Sequence, residues 1–469
     1  MRCLVSIVLL ITVSCAPTDC PDDSHQGGST TPASETTPPD PSQPTEGLTV
    51  EVELDPEHPL TATVRWSGPE AGAGDLQVQC GDAIDLSFHD PEHRQSHGVF
   101  VIGLISGSAC EAIATIAGLE GTASWTVGDL PSNLPQLEVP RSDPGAMAPG
   151  MTLINLIGMG SGLPMVVAVV DEQGRYRWFD DQVTDGSGLD NVTRMVPEGI
   201  LVGGQMGEFP PTLVGWRGDK LWQGVGIEMH HEIAIDDDGD YLVLAKGDPA
   251  ACPDGVSSDV VEEIDPATGQ TVWSWRICEH YQPLDAWEDW DHLNAIEPLG
   301  PDAMLVSSRH QNAVFKVDRH SGEVLWKLGQ DGDFALSEAD TFYNNHGPEM
   351  QPDGRVLLFD NGHDGRPHSR LLELELDEVA RTAEVVWSFR PDPDIYAWAW
   401  GDADRLANGN TLGTFGHVLE GERARVFEVN ADSEVVWELS YPDGWGSYRA
   451  DRVELPEGFV LDAADGLVF

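Results

Sequence analysis

The nine residues DRHSGEVLW, Asp318 to Trp326, make a turn around Ser321-Gly322 and then a short alternating strand that closes on tryptophan. The pattern recurs in DEQGRYRW (171–178), RGDKLW (217–222), DPATGQTVW (265–273), RTAEVVW (381–387) and ADSEVVW (431–437). From Trp178 through Trp222, Trp273, Trp326 and Trp387 to Trp437 the steps are 44, 51, 53, 61 and 50 residues. That period belongs to propeller blades rather than to solenoid repeats. Tryptophan at one position of every repeat reads as blade packing rather than ligand stacking.

A second signal runs in register with the first. Strand, turn and strand follow one another in MVPEGILVGG (195–204), IAIDDDGDYLVL (233–244), AIEPLGPDAMLVSS (295–308), EMQPDGRVLLFD (349–360), RLANGNTLGTFG (405–416) and VELPEGFVLD (453–462). Six tryptophan strands and six hairpins predict an all-β fold whose main body, residues 145–469, is a six-bladed β-propeller. The last hairpin lies at the C-terminus and the first tryptophan strand opens the propeller. The final strands are therefore expected to complete the blade begun near Met151, which removes a free sheet edge.

Upstream, residues 48–130 hold seven short alternating runs, from LTVEVEL to TASWTVGDL, at roughly ten-residue spacing. They predict a small β-sandwich of immunoglobulin or fibronectin type with Trp66 and Trp125 in its core. Residues 16–47 are rich in Pro, Ser, Thr, Asp and Glu and bury too little to order, so they read as a flexible tether. Residues 1–15 read as a signal peptide: Arg2 precedes an apolar run from Cys3 to Val13, too short to span a bilayer. Thr12-Val13-Ser14-Cys15 resembles a bacterial lipobox, with Thr12 where Leu is preferred, and implies lipidation of Cys15; ordinary secretion with nearby cleavage is the alternative. Either route leads to an oxidising compartment. There Cys80–Cys110 and Cys252–Cys278 are the simplest disulfides, although four cysteines allow three pairings. Cys20 is left over, and no C-x-x-C spacing suggests a cysteine zinc site.

The chain carries 80 acidic and 25 basic side chains, a formal charge of −55. Such a surface repels nucleic acid and anionic lipid, so the expected membrane link is the N-terminal lipid alone. An acidic coat that keeps the protein soluble is the plain reading.

Six residues before the turn position of three consecutive hairpins stands a histidine: His231, His292 and His346. The other blades carry Asn191, Gly401 and Ala450 there. Innermost strands feed these hairpins, so equivalent positions are expected to face the central channel at one depth. One histidine alone reads as a surface or structural residue; three in register read as a site. Arg309, in SSRHQNAV after the His292 hairpin turn, is expected to join them as a fixed cation.

The runs DWDHLNAI (289–296), SSRHQNAVFKVDRHSGEVLWKLG (307–329) and NNHGPEMQPDGRVLLFDNG (344–362) resemble those of bacterial arylsulfate sulfotransferases. That family has an N-terminal β-sandwich and a six-bladed propeller, which would cover the chain from about Leu48 onward. The resemblance implies that His346 attacks the sulfate ester and carries the sulfuryl group covalently. It implies that His292 and Arg309 hold the sulfuryl oxygens. The family's earlier histidine maps to the pair His230-His231; hairpin register favours His231, and His230 remains the alternate. Asn344 and Asn345 before His346 depart from better-known members, which puts the immediate surroundings of the nucleophile in doubt.

The chemistry suits these residue types. A sulfate monoester, like a transferring phosphoryl group, needs positioning and charge stabilisation above all. Arg309 supplies a permanent forked cation. A neutral histidine can take the group covalently and divide the transfer into two easier steps. Passing it from an aryl sulfate donor to a phenolic acceptor is nearly balanced, so no nucleotide donor or other cofactor is expected, and no Walker-type loop is found. His292 or His231 could protonate the departing phenolate and deprotonate the acceptor. Two rival readings remain. Three channel histidines could bind zinc, iron or copper, though Arg309 beside a dication speaks against it. The propeller could also be a non-catalytic, surface-anchored binding scaffold.

Overall fold

The computed structural model describes residues 47–159, 165–181, 190–204, 210–224, 226–227, 229–252, 255–281, 289–418, 423–462 and 464–469. The leader with Cys15, the tether up to residue 46 and the side chain of Asn191 lie outside them.

Among the described residues, six antiparallel sheets of four or five strands follow the N-terminal sheet. Three of them run, inner to outer strand, from Met229–Ile235 to Gln270–Arg276, from Leu293–Leu299 to Val324–Gly329 and from His346–Met350 to Thr382–Phe389. Inner strands of successive sheets touch one another, and Ala450–Val453 touches Thr411–Phe415 of the last sheet. Trp445–Gly446 and Ala450–Val453 both pair with Met151–Gly158, so the chain's end and the start of the propeller share one sheet. This is an all-β propeller, closed by strands from both ends of its sequence.

The six repeated tryptophans have a common mechanical place. Each lies on the outermost propeller strand of its sheet, opposite Val169, Leu213, Glu263, Lys316, Glu373 or Glu428, and in all six the register slips right after that partner. A β-bulge leaves one residue unpaired and sharpens the local twist; a wide indole fills the gap this opens between neighbouring sheets. Trp178, Trp326 and Trp437 are almost completely buried. Several indole N–H groups also reach the next sheet. Trp178 donates to Trp216 O at 3.2 Å, Trp387 to Ala431 O at 3.1 Å and Trp437 to Glu172 O at 2.9 Å. The last of these joins the sixth sheet to the first.

The N-terminal region departs from seven separate strands. TATVRWSG and DLQVQC run on as one strand, Ala62–Cys80, and the next two runs as Ile84–Val101. Register slips between Ser67 and Gly72, and between Gly72 and Gly74, let these long strands bend without breaking. All strands here join one hydrogen-bonded, six-stranded sheet. Its edge is Gly458–Val460, the second strand of the predicted sixth hairpin, which pairs with Val99–Val101 instead of closing back on Ala450–Val453. Leu455, Phe459 and Leu461 are buried with Phe100 and Ile102, an apolar gain that a two-residue hairpin turn would forgo. Glu138–Ser142, just upstream of residue 145, adds an outer strand to the sixth sheet. Both disulfides, Cys80–Cys110 and Cys252–Cys278, are present.

Candidate active site

His231, His292 and His346 sit at the channel ends of three successive inner strands, where the backbone is unusual. His231 has φ +59° and His292 +38°, in the left-handed region that ordinary side chains avoid. Gly347 has φ +48°, and a Cβ there would lie 1.9 Å from Asp402 Oδ1, so only glycine can follow His346. Strain of this kind persists where the surroundings over-determine it, and it gathers at functional sites.

The structure brings these side chains together. The His231 and His292 rings lie 4.8 Å apart, centroid to centroid. His231 and His346 each lie 6.1 Å from the ring of Tyr448, which closes the group from the ring-closing segment. The Arg309 backbone N–H donates to His292 O at 3.1 Å, which fixes the arginine at the foot of the same hairpin. Its guanidinium donates to Trp398 O at 3.1 Å and lies 2.9 Å from His310 Nε2.

His346 is buried, and its Nδ1 is engaged by Asn361 Oδ1 at 2.7 Å and by Asn344 O at 3.0 Å. Both partners accept, so the proton resides on Nδ1 and Nε2 keeps its lone pair. Burial first, and the nearby Arg309 charge second, push the imidazole down to about 3, so it is neutral at ordinary pH. Asn361 is held in turn, donating to Ala397 O and Trp400 O at 2.7 and 2.6 Å. Of the two asparagines before His346, Asn344 supplies only its carbonyl to it. Asn345 turns into the sheet toward Ser307 Oγ and Ala313 O.

Of the other two histidines, one is backed by an acid and one by a second histidine. His292 Nδ1 lies 2.6 Å from Asp289 Oδ2, and His231 Nδ1 lies 2.9 Å from His230 Nδ1. His230 is turned away from the group, with Nε2 3.1 Å from Asp259 Oδ1, so His231 is the one that meets His292. Burial, then His230, His292 and His346, hold His231 well below the usual imidazole range. Among the described residues, potential metal-ligand atoms lie within 4.8 Å of one another in Asp402, Asp404 and Asp451, which include none of the channel histidines, and in Asp289, His292 and His310. That set shares only His292 with the three channel histidines and has Lys246 3.4 Å from Asp289.

Beside the histidines opens a pocket of 500 Å³ lined by Arg309, Asn344, His363, Asp364, Tyr396 and Trp398. Trp398 is half-exposed there and, like Trp400, packs on His417. An aromatic ring could lie against this wall with an anionic group turned to Arg309. Sequence reasoning missed Tyr448, Trp400, Asn361, Asp289 and Asp259. A signal existed for the first two: the hairpin register pointed to Gly401 and Ala450, next to one aromatic and two residues from the other. Asn361 and Asp259 carried none.

A family profile described as Arylsulfotransferase (ASST) matches residues 136–449. Arylsulfate sulfotransferase AssT of Escherichia coli O6:H1 (strain CFT073) is 23% identical over 361 residues, 56% of this chain. The chain spans 60% of the length of that relative. Among solved structures, a protein of unknown function from Bacteroides caccae is 16% identical, with 64% of this chain and 98% of that one covered, at a TM-score of 0.46. Streptogramin B lyase is 8% identical, with 84% and 98% covered, at 0.35. At such scores neither likeness adds to what the sheets themselves show.

Proposed function

The chain belongs to the arylsulfotransferase family, and from that premise we propose that it moves a sulfuryl group from an aryl sulfate to a phenol through His346. One observation carries the reading. His346 is buried, uncharged and tautomerically fixed, with Nε2 unengaged among the described residues and the Arg309 cation close by. In the first half-reaction Nε2 attacks sulfur, the S–O bond to the aryl oxygen breaks and an S–N bond forms. Arg309 and His292 steady the sulfuryl oxygens, while His231 serves the proton of the aryl oxygen. The acceptor phenol then takes the group in the reverse sense. The aromatic wall of Trp398 and Tyr396 suits the aryl ring. Export, with a lipid on Cys15, agrees with the two disulfides, which need an oxidising compartment.

The test is an incubation with 4-nitrophenyl sulfate followed by intact-mass and peptide measurement. A sulfuryl adduct on His346, absent from a folded His346→Asn variant that also fails to release phenol, supports the proposal. Substantial turnover in that variant removes the covalent scheme.

A further inference from the structure

The pair His230-His231 is built in a way that the transfer chemistry above does not use. Their two Nδ1 atoms lie 2.9 Å apart in a buried place, and a contact between two such nitrogens needs one proton shared between them. The far nitrogen of His230 lies 3.1 Å from Asp259 Oδ1, close enough to pair although off the line of an ideal hydrogen bond. Asp259 is itself pinned: Lys246 Nζ lies 2.8 Å from Oδ1, and the Leu293 backbone N–H donates to Oδ2 at 2.8 Å. Leu293 follows His292, so one carboxylate braces the backings of both histidines. Burial alone would raise the Asp259 carboxyl, but His230 and Lys246 outweigh it and hold it ionised. Lys246, itself half-exposed, reaches on to Asp289, which holds His292 Nδ1, so the two histidines are joined through a run of charged groups that starts at the buried Asp259.

We infer that His230, set by Asp259, is the proton store of the transfer, and that His231 is the arm that reaches the aryl oxygen. This rests on the proposed sulfuryl transfer. Before the donor reacts, His230 carries protons on both nitrogens, Nδ1–H donating to His231 Nδ1 and Nε2–H directed to Asp259. His231 is then neutral with its proton on Nε2. As sulfur passes to His346, the aryl oxygen takes the His231 Nε2 proton and the Nδ1 proton of His230 crosses to His231 Nδ1. Phenol leaves neutral, and the pair has lost one proton. In the second half-reaction the acceptor O–H gives its proton to His231 Nε2, and the Nδ1 proton crosses back to His230. The sulfuryl group leaves His346 for the phenol oxygen, and the cycle closes without gain or loss of protons. The arrangement explains why two histidines stand together. A positive charge on His231 would face His292 and His346. On His230 it faces the Asp259 carboxylate.

A positioning role of this kind shows in the dependence on the leaving group. Nitro-substituted phenolates depart unaided, whereas phenols with a pKa of about 10 need the proton. Single-turnover phenol release from a series of aryl sulfates is compared for native protein, His230→Gln and Asp259→Asn. The expected loss is within about fivefold for nitrophenyl donors and about 100-fold for alkylphenyl donors, the usual scale of a positioned acid. An equal loss across the series, with transfer intact, overturns the relay alone. No release from any donor by native protein overturns the transfer reading and the relay with it. An independent check, free of activity and of the variants' folding, is the ¹⁵N spectrum of histidine-labelled native protein. A proton on Nε2 of His230 and one shared between the two Nδ1 atoms is expected; two unprotonated Nδ1 atoms overturn the proposal.

Discussion

Replacing Arg309 by methionine separates its two roles, because each is read on a different axis of one experiment. The guanidinium is preorganised: its backbone is tied to His292 O, and its fork to Trp398 O and His310. A fixed donor aimed at charge that develops in a transition state contributes about 3–4 kcal/mol, or roughly 10²–10³ in kcat. That is the expected fall in kcat for 4-nitrophenyl sulfate with a phenol acceptor. The second axis is pH. In the proposed transfer His346 acts as the free base, and it is held down to about 3, by burial first and by Arg309 next. Its neutral form prevails above that value, so native kcat/KM has no acid limb from His346 near the ordinary imidazole value. Removing a unit charge a few Å away restores roughly 1–2 kcal/mol to the imidazolium, about one pH unit. The limb therefore moves upward in Arg309→Met while burial keeps it below the ordinary value. Arg309→Lys keeps the charge and loses the fork, so its rate falls with little movement of the limb. Activity of Arg309→Met within fivefold of native, or a limb that moves downward, refutes the reasoning.

Two further outcomes concern stability. Burial, with Glu349 adding to it, pushes the Glu297 carboxyl from 4.5 up to about 8. A raised carboxyl favours the fold below 4.5 and loses that advantage as pH rises through 8, so Glu297→Gln should match native at pH 4.5 and exceed it by ~2 kcal/mol at pH 9. The amide can still accept from Met350 N–H. Urea melts at both values check this, and a pH-independent difference contradicts it. Trp437→Phe loses the ring-closing bond to Glu172 O from a fully buried site and should cost about 2 kcal/mol. Trp387→Phe, whose indole N–H is exposed, should cost under about 1 kcal/mol, and equal costs would deny the burial argument.

The tryptophan period and the hairpins that accompany it were legible because each blade writes its own turn, strand and bulge within some fifty residues of chain. The same locality exposed three histidines at one register and an arginine one hairpin turn away, so the residues that gather around Tyr448 could be picked out from local spacing. Tertiary structure alone decided the rest. Tyr448 meets His231 and His346 only because the last strands return to the first sheet. Asn361 fixes the His346 tautomer from across a hairpin, and Asp259 reaches His230 within its own sheet and Leu293 in the next. Gly458–Val460 leaves its own hairpin because its apolar residues find a better partner in Phe100 and Ile102. Periodicity records what each segment buries, but not which distant segment covers it. Ring closure makes that choice, through contacts whose strength depends on burial rather than on any local pattern.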